Sequence, residues 1–158
     1  MKLLDIVVKD AIIPELKATK RDEAVEELVD ALLNAGAITE AQRDPFIKSI
    51  VKRENRGSTG FGHGVAVPHV KDPNLENMLV AIGVSHEGVE FNALDRQPVY
   101  SIFLLLSPEE KPEAHLDAME ALFGNLSQET FRRFLRQART VEDVVTLLEE
   151  SDARAGTH

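Results

Sequence analysis

The 158-residue chain has no cysteine and a single tyrosine. Without a thiol there is no disulfide, no thiolate nucleophile and no cysteine-based zinc site, so covalent chemistry must fall to another side chain. Long apolar runs are also lacking. The longest, Ile102–Leu106, is far too short to cross a bilayer, and the N-terminus alternates charged with apolar residues instead of forming a basic-then-apolar signal. Cytoplasmic residence, without membrane insertion, is the expectation. Positive charge is the minority sign: 18 basic against 27 acidic residues give a net charge of −9. That balance disfavours nucleic acid and anionic membranes and favours a basic protein partner. The charges read as dispersed, solvated helix faces.

What is present suits one compact domain over residues 1–150, with 43% apolar content for its core and a frayed, flexible tail at 151–158. Ile12-Ile13-Pro14-Glu15-Leu16 reads as a short edge strand, because proline cannot donate to a central ladder. Thr19 with Asp22 suggests an N-cap for a helix that buries Val25, Leu28, Val29 and Leu32 and stops at Gly36. A second helix turns Phe46, Ile47, Ile50 and Val51 inward; Pro45 favours Asp44 over Thr39 as its cap. Met78–Val84, a turn at 85–88 and Val89–Phe91 read as a strand and its short return. Val99–Leu106 is apolar almost without alternation, which suits a strand covered by helices on both faces, and Tyr100 within it reads as core. Three helices follow: one carries His115, Leu116, Met119, Leu122 and Phe123. The next is capped by Ser127 with Phe131, Phe134 and Leu135 inside, and the last by Thr140 with Asp143. The pattern is a layered α/β domain with a mixed sheet between helices.

The chemistry concentrates between Arg53 and His69, where four glycines, two arginines, two hydroxyls and two histidines share one short segment. Gly57, Gly60, Gly62 and Gly64 permit positive φ, so successive N–H groups can form a cup for an anion. The segment lacks Gly-x-x-x-x-Gly-Lys-Ser/Thr and the full Gly-x-Gly-x-x-Gly, which argues against an ATP or NAD site. What remains is an anion nest with arginine at its entrance and histidine at its exit. Neutral imidazole can attack phosphorus, and phosphohistidine can pass the group onward. His69, fixed behind Pro68, is the candidate nucleophile, against the alternative of a loop histidine bonded to backbone. Arg53, Ser58, Thr59 and the loop amides are candidate ligands for phosphoryl oxygens. His115 is the candidate second histidine or a partly buried structural one. His63, between two glycines, suits a left-handed turn, with phosphate or metal ligation as the other readings. Arg56 reads as a solvated cation.

Arg53-Glu54, Gly57-Ser58-Thr59-Gly60, Gly62 and Val65-Ala66-Val67-Pro68-His69 resemble the signature of the EIIA domains of the fructose/mannitol class in the bacterial phosphoenolpyruvate-dependent phosphotransferase system. The nitrogen-regulatory EIIA proteins share it. Phe91–Asp95, Pro98-Val99, Phe103–Pro108 and His115-Leu116 resemble family segments in the same order, so the likeness runs from about residue 5 to about residue 150. Arg96-Gln97 and Pro45 depart from the common pattern, away from the loop. The resemblance implies that His69 accepts a phosphoryl group from phospho-HPr on Nε2 and passes it to a cysteine of an EIIB protein, with Arg53 and His115 in support. It implies no metal and no nucleotide cofactor. It also implies a separate EIIA, since a fused EIIB of this system would bring a cysteine and a fused EIIC would bring membrane spans.

Two functions share such a site: a phosphocarrier for sugar uptake, and a nitrogen-regulatory type whose phosphorylation state gates contacts with target proteins. A metal-dependent hydrolase built on His63, His69 and His115 is the reading from another class, and no His-Glu-x-x-His pattern accompanies it.

Overall fold

A computed structural model describes residues 1–155. It has the α/β architecture anticipated above: a five-stranded mixed sheet with helices on both faces. The strands are β1 (Val7–Ile13), β2 (Val65–Ala66), β3 (His69–Asp72), β4 (Leu79–Val89) and β5 (Val99–Pro108). The helices are α1 (Arg21–Asn34), α2 (Glu40–Arg56), α3 (Pro112–Leu126), α4 (Glu129–Gln137) and α5 (Val141–Ala155). β4 lies between β1 and β5, parallel to the first and antiparallel to the second.

The unbroken apolar run of β5 follows from its central place. Side chains alternate across a strand, so Phe103 and Leu105 enter a core with α3, α4 and α5, while Ile102, Leu104 and Leu106 enter a second core with α1 and α2. Both faces are dry, and only Tyr100 is half-exposed within the strand.

The edge that matters for function is β2 with β3, both parallel to β5. Val65 lies opposite Ser101 and His69 opposite Leu105, so the register runs through without slippage. The two strands are one edge interrupted at Val67–Pro68. Pro68 has no N–H to donate, but its carbonyl accepts the Leu105 N–H at 2.9 Å and holds the break against β5.

Several local expectations are corrected. α1 buries Val25, Leu28, Val29 and Leu32 and ends before Gly36 at φ +76°, as its pattern indicates. Its N-cap, however, is Lys20, with no side-chain cap bond. α2 starts at Thr39, not Asp44: the Thr39 N–H donates to Gln42 Oε1 at 2.9 Å in a capping box. That reciprocal bonding outweighs the one backbone bond Pro45 removes inside the helix. No hairpin forms at 85–88, because β4 continues to Val89 and absorbs the extra residues as a bulge against β5. Ser127 ends α3 instead of opening α4, and Phe134 is 51% exposed. Thr140 and Asp143 do bond reciprocally at the start of α5.

The end of the chain is anchored further than composition suggests. α5 runs to Ala155, with Ser151 and Asp152 buried; 156–158 lie outside the described residues. The Asp152 carboxylate accepts the N–H groups of Leu3 at 2.8 Å and Leu4 at 3.0 Å, tying the first turn of the chain to its last helix. Asp152→Ala leaves those donors without their acceptor, and urea unfolding is expected to show a loss of about 1–3 kcal/mol. A change within about 0.5 kcal/mol, typical of an ordinary surface position, would contradict the anchoring role.

Candidate functional site

His69 begins β3, immediately behind the proline break. Consecutive carbonyls of a strand point to opposite sides, and Pro68 O is directed at β5. Val67 O is therefore left on the open side of the edge, where an acceptor needs a donor. His69 Nδ1 lies 2.8 Å from it. A carbonyl oxygen can only accept, so Nδ1 carries the ring proton and Nε2 carries the lone pair. The half-buried imidazole is thereby fixed in one tautomer.

His115 enters from the first turn of α3, and its ring centroid lies 5.7 Å from that of His69. It is 7% exposed, and its Nδ1 is buried without a hydrogen-bond partner among the described residues. Burial pushes its pKa below the ordinary histidine value, with the charges of Lys71 and His69 acting in the same direction. A neutral imidazole is thus held beside the first one.

The first half of the glycine segment is braced by internal hydrogen bonds, and the second half carries the positive φ values. Positive φ occurs at Gly62 (+116°), His63 (+58°) and Gly64 (+75°), whereas Gly57 is extended. Gly60 is required for a different reason: a Cβ there would sit 2.9 Å from the Cβ of Ala93. Three amides already have protein acceptors: Gly57 N–H on Glu54 O, Thr59 N–H on Glu54 Oε1 at 3.1 Å, and Gly60 N–H on Ser58 Oγ at 3.0 Å. Sequence reasoning passed over Glu54 as a site residue. It is 3% exposed and braces the start of the loop through Thr59; the available signal was its place directly after Arg53.

Arg53 stands in the last turn of α2 and donates Nη1–H to Gly57 O at 2.9 Å, so it closes the helix end onto the loop. α2 packs beside β3, the strand that carries His69. Thr59 Oγ1 is buried without a hydrogen-bond partner among the described residues. His63 is exposed and lines a separate cavity with Gly64 and the arginines of α4. Among the described residues no group of three or more His, Asp or Glu side chains is placed to hold a metal, so the hydrolase reading finds no donor set. Nor is any helix among them long and apolar enough to cross a membrane.

A helix-covered mixed sheet thus carries one oriented imidazole on its broken edge and a second beside it. The sequence profile of the family described as phosphoenolpyruvate-dependent sugar phosphotransferase system, EIIA 2, matches residues 5–151, and the chain belongs to that family. It is 31% identical over 148 residues to a nitrogen regulatory protein of Bradyrhizobium diazoefficiens, covering 94% of this chain and 95% of that protein. It is 29% identical to the fructose-specific EIIABC component of Bacillus subtilis over 96% of its own length, but spans only 24% of that protein. The crystal structure of nitrogen regulatory protein IIA-Ntr from Neisseria meningitidis superposes with a TM-score of 0.81 at 30% identity, covering 91% of this chain and 97% of that one.

The lowered pKa of His115 has a consequence for stability. The unfolded chain binds a proton near pH 6.5 and the folded chain only at lower pH. Stability is therefore full above about pH 6.5 and falls as pH drops toward the folded value, by at most about 1.4 kcal/mol per pH unit. Urea titrations from pH 8 to 5 are expected to show a shallower fall in His115→Gln than in the parent. Superimposable profiles would mean that His115 titrates alike in both states.

Proposed function

We propose that this chain is a cytoplasmic phosphohistidine carrier acting through its EIIA domain. His69 takes a phosphoryl group from phospho-HPr, or from a nitrogen-branch homologue, and passes it to the cysteine of an EIIB protein. The observation that carries the reading is the 2.8 Å contact of His69 Nδ1 with Val67 O, which leaves Nε2 as the nucleophile. In the transfer, the Nε2 lone pair forms the new N–P bond while the bond between phosphorus and the donor's histidine nitrogen breaks. No proton leaves His69: Nδ1–H stays on Val67 O, and the positive charge that develops on the ring is stabilised by that carbonyl dipole.

The surroundings support the same reading. His115, kept neutral by burial, has an unpartnered ring nitrogen that a phosphoryl oxygen would satisfy. Arg53 uses one of its five N–H donors on Gly57 O and retains others for phosphoryl oxygens. Ser58 Oγ accepts from Gly60 and keeps its own O–H to donate. Leu116, next to His115, is 62% exposed, as suits a surface that docks a protein donor.

A second reading, a regulatory protein whose phosphorylation state gates target binding, is favoured by the near full-length match to a nitrogen regulatory protein. The His69 chemistry is the same in both. They part at the next step, where a carrier for uptake hands the group on and a regulator keeps it while its surface charge changes.

Incubation with phosphoenolpyruvate, enzyme I and HPr is expected to add one acid-labile phosphoryl group that His69→Ala abolishes; label persisting in the variant would overturn the assignment. His115→Ala should fold normally and slow transfer by about 10²-fold. Addition of candidate EIIB proteins should discharge the label if the chain serves uptake, whereas a stable label with phosphorylation-dependent target binding supports the regulatory reading.

A further inference from the structure

The basic residues are not evenly dispersed: four arginines fall between Arg132 and Arg139. Arg132, Arg133 and Arg136 of α4, with Arg139 just beyond it, line one cavity of about 470 Å³ together with His63 and Tyr100. None of the four guanidiniums forms a salt bridge among the described residues, although the protein carries a net charge of −9. Glu129 is the one carboxylate on the lining, and it pairs with none of them.

Three of the arginines have neutral partners, Arg133 lying 5.6 Å from the centroid of the Phe134 ring. Arg132 donates Nη1–H to Leu126 O at 2.9 Å, and the Arg136 guanidinium lies 3.5 Å from the centroid of the Tyr100 ring. These contacts restrict the side chains without neutralising their charge, and stacking leaves the N–H edge of Arg136 available. Keeping like charges together disfavours the fold unless something else compensates them. The cavity volume falls within the range of small-molecule sites, about 300–1,000 Å³.

We propose that this cavity binds a small phosphorylated anion carrying at least two phosphate groups. Arginine forks pair bidentately with phosphate oxygens, and four of them around one recess exceed what a single phosphate can engage. The site is separate from the His69–His115 pair, yet it shares a wall with the glycine segment. Gly64 O accepts the N–H groups of Tyr100 at 2.7 Å and Ser101 at 3.1 Å, and a Cβ at Gly64 would press on the Tyr100 ring at 3.1 Å. Ligand contact with Tyr100 or His63 would therefore be felt by the backbone that leads to His69.

Inorganic pyrophosphate is the probe, titrated at physiological ionic strength by calorimetry and by amide NMR. Saturable sub-millimolar binding is expected, with shifts confined to His63, Gly64, Ser101 and the 129–139 segment. The exposed double substitution Arg133→Ala/Arg136→Ala should weaken it by about tenfold or more, whereas Lys48→Ala on α2 should not. Absence of saturation, shifts centred on His69 and His115, or equal weakening by Lys48→Ala would overturn the proposal. Citrate binding as tightly as pyrophosphate would overturn the phosphate class. So would a single-stranded oligonucleotide that shifts this segment while pyrophosphate leaves it silent.

Discussion

The hydrogen bond from His69 Nδ1 to the carbonyl of Val67 joins the sheet to the chemistry. It exists because the edge of the sheet is broken at one point. Pro68 removes a donor from the edge, its own carbonyl stays on β5, and the preceding carbonyl is turned toward the ring two residues on. A backbone acceptor cannot change its protonation state, so the tautomer it selects holds at every pH where the ring is neutral. An Asp in its place would add a negative charge beside the phosphoryl group proposed to arrive there. A carbonyl orients the ring without that repulsion.

Around this bond the protein arranges polarity sparingly. His115 is kept neutral by burial and not by a partner, and it sits at the start of α3, where backbone N–H groups are exposed to favour negative charge. Glu54 is buried behind the loop, where it fixes Thr59. Arg53 is tethered to Gly57 by one of its donors. The loop is therefore pre-shaped by internal hydrogen bonds, and the side chains proposed to meet phosphate are held before it arrives. Such preorganisation is what phosphoryl transfer asks of a protein.

Much of this was legible in the sequence, for identifiable reasons. The two-sided burial of β5 shows in Ile102–Leu106, because a strand buried on both faces has no polar alternation. The glycine segment and its terminal histidine are compositionally conspicuous. What was not legible depends on distant partners. The bulge that carries β4 past Gly88 is set by its pairing with β5, and a local turn pattern cannot report it. Phe134 has the spacing of a core residue, yet α4 turns it to solvent beside Arg133. Thr39 outcompeted Asp44 as a cap because a glutamine stands three residues after it. The bracing of the loop was not legible either: glycine spacing indicates freedom of φ, but not that Glu54 and Ser58 accept the N–H groups of Thr59 and Gly60. The spacing of Arg132, Arg133 and Arg136 places them together on one helix, but it does not reveal the recess they share with Tyr100 and His63.

The account rests most directly on the protonation of one ring. Long-range proton–nitrogen NMR of the His69 side chain, before and after phosphorylation, reads it without mutation. A proton on Nδ1 in the free protein and phosphorus on Nε2 in the phosphorylated protein is the predicted result. A proton on Nε2 in the free state, or phosphorus on Nδ1 in the product, would contradict it.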